Sequence, residues 1–196
     1  MLILGSQSPR RGELLGHFSL PFRQVPSSFD EESIAYEGNP LAYTSTLAEK
    51  KGEALLPQFP KDLILTADTV VYYQGKIYNK PRDKEEAFVF LSELSGHWHH
   101  VFTAMCLIQG SQKYQGVEET RLLFHKLTEQ QIHTYHKHCH FLDKAGGYAI
   151  QGVGSLLIER IEGAYDNVMG LPLNLTRTLL LKAGIDLWDY LKPASC

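Results

Sequence analysis

Seven residues near the start of the chain, Ser6-Gln7-Ser8-Pro9-Arg10-Arg11-Gly12, gather the groups that bind phosphate. The apolar run Met1-Leu2-Ile3-Leu4 before them suits a buried strand, and Glu13-Leu14-Leu15 after them suits a helix. Ser8 fits an N-cap, and Pro9 fits the first helical position, where a missing N–H costs nothing. Arg10 and Arg11 then fall in the first turn, where cations oppose the helix macrodipole. The third helical position is Arg11, so no capping-box glutamate reaches back over the turn. Open amides, two hydroxyls and two guanidinium groups at one helix start make an anion site. The plainer alternative is a strand–turn–helix with two solvated arginines.

A carboxylate comes next. Asp68, in Ala67-Asp68-Thr69-Val70-Val71, closes the apolar run 62–67. A charge at the end of a buried strand is costly unless partnered, and strand ends in α/β sheets are where ligands bind. Such a carboxylate can hold Mg²⁺ or Mn²⁺ through oxygen or act as a general base on water; the alternative is an aspartate that only caps a turn. Lys80 lies before Pro81, which cannot continue a strand, and could bring a cation to the same site. Lys50 and Lys51 end a helical run and face about 100° apart, so at most one points inward. Gly146, Gly147 and Gly152 permit close backbone approach around Gln151, whose planar amide can read a base edge or hold a water. The histidines at 97, 99 and 100 are read as mostly structural, and those at 133–140 as a solvated helix end, because neither set has zinc-ligand spacing.

These residues need a scaffold that alternates strand and helix. Strands are expected at 2–5, 21–25, 62–67, 98–109, 114–126 and 155–161, with a hairpin over 70–78. Helices are expected at 9–17, from Asn39-Pro40 to about Leu56, at 83–94, 128–138 and 172–183, and an irregular glycine-rich segment at 143–154. This is an α/β chain with an elongated mixed sheet flanked by helices, in two lobes with a central cleft. Its 196 residues suffice for one domain with a sizeable core. No apolar run approaches the roughly 20 residues of a membrane span, and no signal peptide is evident. Three dispersed cysteines, Cys106, Cys139 and Cys196, fit neither a disulfide framework nor a zinc site and point to the cytoplasm. The net charge of −3 argues against stable nucleic-acid binding and favours a small phosphate ligand.

Taken in order, Ser6–Leu15, Ala67-Asp68-Thr69-Val70-Val71, Lys80-Pro81-Arg82-Asp83, Gly96–Thr103, Asp143-Lys144-Ala145-Gly146 and Gly170-Leu171-Pro172 resemble the motifs of the Maf-like proteins. The resemblance covers almost the whole chain and implies a single Maf-like domain over 1–196. It implies a nucleoside triphosphate pyrophosphatase that releases the monophosphate and pyrophosphate with a divalent metal, clears surplus or non-canonical nucleotides, and has a fold similar to the inosine-triphosphate pyrophosphatases. Homodimers are common in the family. By motif position Asp68 resembles the catalytic aspartate, and Arg10, Arg11, Lys51 and Lys80 resemble the phosphate-binding cations. Ser8, Thr69 and Gln151 are the further substrate contacts expected. Asp68 with a nearby acid, Glu31 or Glu32, is expected to hold Mg²⁺ or Mn²⁺, Glu32 being the residue assigned. Asp68-Thr69, Asn79-Lys80-Pro81 and Ile150-Gln151-Gly152 look like the dTTP/UTP branch; the branch that prefers 7-methyl-GTP usually has glutamine after the aspartate. The alternatives are therefore a 7-methyl-GTP or modified-nucleotide pyrophosphatase, and a non-catalytic nucleotide-binding regulator of cell division.

Overall fold

A computed structural model describes residues 1–192; Cys196 lies outside the described residues. Strands β1 (Leu2–Gly5), β2 (Phe22–Val25), β3 (Leu63–Tyr73), β4 (Lys76–Tyr78), β5 (Trp98–Gln109), β6 (Gln112–Phe124) and β7 (Ile158–Glu162) form a mixed seven-stranded sheet. Its order is β2-β1-β3-β5-β6-β7, with β4 paired to β3. The helices are α1 (Pro9–Leu15), α2 (Pro40–Glu53), α3 (Lys84–Leu94), α4 (Glu129–His138), α5 (Tyr165–Met169) and α6 (Leu173–Lys182). No helix among the described residues is long and apolar enough to cross a membrane.

Most expected elements are present, with instructive differences. Helix α1 stops at Leu15, two residues short of expectation, where Gly16 takes over. Strand β3 does not end near Ala67: it runs unbroken from Leu63 to Tyr73, so Asp68 is the sixth of eleven strand residues rather than a terminal one. No glycine or proline interrupts that run, and the ion pair described below removes the penalty a lone carboxylate would carry there. Residues 165–169, where no element is expected, form α5. Asn39 caps α2 by accepting from the Leu41 and Ala42 amides, and Thr128 caps α4 with a reciprocal box to Gln131.

The chain divides into two compact units. The first comprises Met1–Asp68, Thr103–Glu118 and the described chain from Gly170 to Lys192. In it β1 runs parallel to both β2 and β3, with Leu4 opposite Gln24 on one side and Leu65 on the other. Ile3, Ala48, Leu55, Ile64, Ala104, Cys106 and Ile108 make its core, and the buried Thr66 hydroxyl donates to the Ala48 carbonyl, tying β3 to α2.

The second unit comprises Thr69–Phe102 and Glu119–Met169. Phe88 of α3 stacks on His133 of α4, and Tyr78 meets Phe90 edge-on. The centre of this unit is aromatic: His99, Phe124 and Tyr148 are buried with ring centroids 4.6–5.6 Å apart. Burial lowers the His99 pKa to about 4. Between the ordinary value near 6.5 and about 4, the unfolded chain therefore binds a proton that the folded chain refuses. Stability is expected to fall over that window as pH drops, by at most roughly 3 kcal/mol, and to level off below it. Urea midpoints measured from pH 7 to pH 4 check this, and a His99→Gln variant is expected to flatten the slope.

Candidate active site

The site is assembled from the first turn of α1, the segment before α2, the last turn of α2 and the middle of β3. After Gly5 the chain leaves β1, and the buried Ser6 hydroxyl accepts hydrogen bonds from the Ser8 amide (3.1 Å) and from Arg11 Nη1 (3.3 Å). Ser8 occupies the N-cap position, but its side chain caps nothing, so this part of the expectation does not hold. The amide a capping hydroxyl would accept from is left to other partners. Helix α1 has only seven residues. Positive charge at this turn therefore comes mainly from Arg10 and Arg11, both half-buried. Arg11 is locked in place: Nε donates to the Gly170 carbonyl at 2.7 Å and Nη1 to the Ala67 carbonyl at 2.8 Å. Burial lowers its pKa below the ordinary arginine range, against the upward pull of Asp68 and Glu31; an arginine still keeps its charge there.

Gln24 belongs to no motif, yet it shapes the turn. Its Nε2 donates to the carbonyls of Ser6 (3.0 Å) and Ser8 (2.9 Å), so β2 holds the turn from the side. The same residue explains Gly12, where an added Cβ would lie 2.3 Å from Gln24 Oε1. Gly12→Ala is expected to push the Gln24 amide off both carbonyls, costing about 1–2 kcal/mol of stability as two hydrogen bonds are lost. Gln24→Ala should cost a similar amount, and the double variant should be no worse than either single one; chemical denaturation of the three proteins checks this.

The central pair is Lys51 and Asp68. Lys51 is 8% exposed and Asp68 5%, and Nζ donates to Asp68 Oδ1 at 2.5 Å. The same ammonium lies 3.0 Å from Glu31 Oε1. Lys50, its neighbour, points away and pairs with Glu53. This is the expected one-in, one-out division of two adjacent helix lysines. Glu31 belongs to a short 3-10 turn, Glu31–Ser33, capped by Asp30, whose carboxylate accepts from the Glu32 amide. Ser27 anchors the approach to that turn by donating to the Lys51 carbonyl at 3.1 Å. The carboxylate brought to Lys51 is thus that of Glu31 and not that of Glu32, although both acids are exposed. Two carboxylates on one ammonium supply hard oxygen donors of the kind Mg²⁺ and Mn²⁺ take. Among the described residues no group of three or more His, Cys, Asp or Glu side chains is placed to hold an ion by itself. A cation here would therefore need water and substrate oxygens, which is the habit of Mg²⁺ with phosphates.

The second unit carries the other expected residues. Thr69 follows Asp68 directly and is half-buried; Lys80 is exposed; Gln151 is half-buried just before a 3-10 segment, Gly152–Leu157. Lys144 donates to Asp143 (2.5 Å) and to the His140 carbonyl (2.7 Å), so the opposite charges at the start of the glycine-rich segment neutralise each other. The histidine cluster at 97–100 is divided among structural tasks: His97 stacks on Tyr73, His99 is buried, and His100 Nδ1 lies 2.6 Å from Glu119.

Comparison with known proteins supplies the context. A family model described as Maf-like protein matches residues 1–183. A dTTP/UTP pyrophosphatase of Chlamydia felis (strain Fe/C-56) is 44% identical over 191 residues, 97% of each chain. A dTTP/UTP pyrophosphatase of Acholeplasma laidlawii (strain PG-8A) is 46% identical over 175 residues, 89% of this chain and 92% of that one. Among solved structures, the Staphylococcus aureus Ham1 protein shares the fold with a TM-score of 0.52 at 11% identity, covering 93% of this chain and 98% of that one.

Proposed function

We propose, since the chain belongs to the Maf-like protein family, that it hydrolyses dTTP and UTP to the monophosphate and pyrophosphate. The observation that carries this reading is the buried Asp68 carboxylate held by Lys51, in the unit that also holds Arg11 at the first turn of α1. The names of the two relatives above support the choice of substrate.

In this reading Arg10, Arg11, Lys51 and Lys80 neutralise the triphosphate, and Ser8 and Thr69 make further contacts. Gln151 takes the edge of the base. Asp68 has one oxygen engaged by Lys51 and uses the other to orient a water and take its proton. That water attacks the α-phosphorus, the bond from phosphorus to the bridging oxygen breaks, and pyrophosphate leaves with the electron pair. Positioning and charge stabilisation carry most of the rate in phosphoryl transfer. Asp68 and Glu31 are the residues that would hold Mg²⁺ or Mn²⁺, which when bound neutralises charge on phosphate oxygens. The reading takes the protein to act on free nucleotides in the cytoplasm, without stable nucleic-acid binding, and as a homodimer.

The test is to offer dTTP, UTP, CTP, GTP and 7-methyl-GTP, each with Mg²⁺ or Mn²⁺, and to measure monophosphate and pyrophosphate. Release from dTTP and UTP, abolished by EDTA and restored by either metal, is the expected result. Release from 7-methyl-GTP alone would overturn the roles of Thr69, Lys80 and Gln151. Tight nucleotide binding with no release from folded protein would make the chain a regulator.

A further inference from the structure

Between Asp143 and Gly152 the second unit has almost no regular structure, yet the segment is held at several points. Gly146 and Gly147 both adopt positive φ, 72° and 71°. A Cβ on Gly146 would lie 2.8 Å from the Tyr148 ring and 3.0 Å from Val71 Cγ2, so the backbone bends tightly over the next aromatic side chain. The Gly146 amide donates to the Asn79 carbonyl at 3.2 Å. The Ala149 amide donates to the Tyr135 hydroxyl of α4 at 2.9 Å. Tyr148 is 4% exposed, and its hydroxyl lies 2.8 Å from Nε2 of the fully buried His99 on β5. Three elements therefore grip one loop: the turn before Lys80, α4 and β5.

We infer that His99 and Tyr148 are a buried positioning pair that fixes the 144–152 loop, and with it Gln151, for substrate recognition. Neither residue need touch the nucleotide. The Tyr148 ring fills the centre of the unit between Phe124 and His99. Packing alone would leave the ring free to shift along its own axis. The hydroxyl fixes its depth, and the backbone of Ala149, Ile150 and Gln151 follows. A buried hydroxyl facing a buried imidazole is costly unless the two are bonded to each other, which is why the pair specifies one loop conformation.

This inference rests on the reading of Gln151 as a substrate contact, and its test separates the two. Tyr148→Phe keeps the ring and removes only the hydroxyl. Hydrogen–deuterium exchange is expected to speed up at 144–152 and not elsewhere, a readout that needs no substrate. In kinetics with dTTP, KM is expected to rise about tenfold while kcat changes less than about threefold, as for lost binding contacts that are not special to the transition state. The same substitution in a Gln151→Ala background should add little, because its effect runs through Gln151. His99→Leu should reproduce Tyr148→Phe, and His99→Gln, which keeps an amide within reach of the hydroxyl, should hold wild-type exchange and KM. Unchanged exchange at 144–152 in Tyr148→Phe would overturn the inference. So would a KM effect that adds fully to that of Gln151→Ala, the mark of a merely structural role. If Gln151→Ala leaves the kinetics of an active enzyme untouched, the role of Gln151 falls and this inference with it. If Gln151→Ala acts and Tyr148→Phe does not, only the positioning pair falls.

Discussion

Asp68→Asn is expected to lower kcat for dTTP by about 10²-fold or more, the scale of losing a general base, with the fold intact. The substitution is nearly isosteric, and Lys51 keeps its second partner, Glu31, at 3.0 Å. The buried ammonium is therefore not stranded, and stability should change little. Steady-state kinetics beside a thermal melt separate the two effects. Excess Mn²⁺ sharpens the result. If the carboxylate acted chiefly as a metal ligand, saturating metal would recover much of the rate; as the base, it cannot be replaced that way. Near-wild-type turnover in the folded Asn variant would remove Asp68 from the chemistry.

Lys51→Met should have the largest effect on stability. It removes the one ammonium shared by Asp68 and Glu31 and leaves a carboxylate that is 5% exposed without its ion-pair partner. Breaking a buried pair from one side costs roughly 3–5 kcal/mol, and the half-open position of Glu31 favours the lower end of that range. Adding Asp68→Asn to Lys51→Met should restore much of the stability by removing the stranded charge, and should restore none of the activity. Urea denaturation of both singles and the double variant, with turnover measured on each, checks this. A double variant no more stable than Lys51→Met would mean that Lys51 stabilises by packing and not by charge.

How much of the site is legible in the sequence depends on the range of the interaction involved. The Ser6–Gly12 turn is legible because residue type and adjacency decide it: an apolar strand, a proline at the helix start and two arginines are local facts. The inward turn of one lysine from the pair at 50 and 51 follows from helical period alone. The choice of Glu31 over Glu32 does not. It depends on a single 3-10 turn capped by Asp30 and anchored through Ser27, and two adjacent acids look alike until that turn is built. Gln24 and the Gly170 carbonyl are out of reach for a related reason. They act from positions 16 or more residues distant, through parallel strand register and chain return, and carry no motif of their own. Most of the alternating strands and helices show in the apolar periodicity, but the extent of β3 does not. A charged residue after an apolar run reads as a strand end, whereas β3 tolerates Asp68 at its middle because the partner lysine arrives from α2.

That unbroken strand has a consequence for how such a protein can change over generations. Side chains of neighbouring strand residues leave on opposite faces, so Asp68 and Thr69 project apart although they are covalently adjacent. A replacement at 69 alters one face while the carboxylate on the other keeps its backbone position, its lysine and its surroundings. On the roles proposed above for Thr69 and Asp68, the preference for one nucleotide over another and the cleavage of the anhydride are adjacent but separable traits. A descendant chain could exchange its substrate by single steps at 69 and never pass through an inactive ancestor.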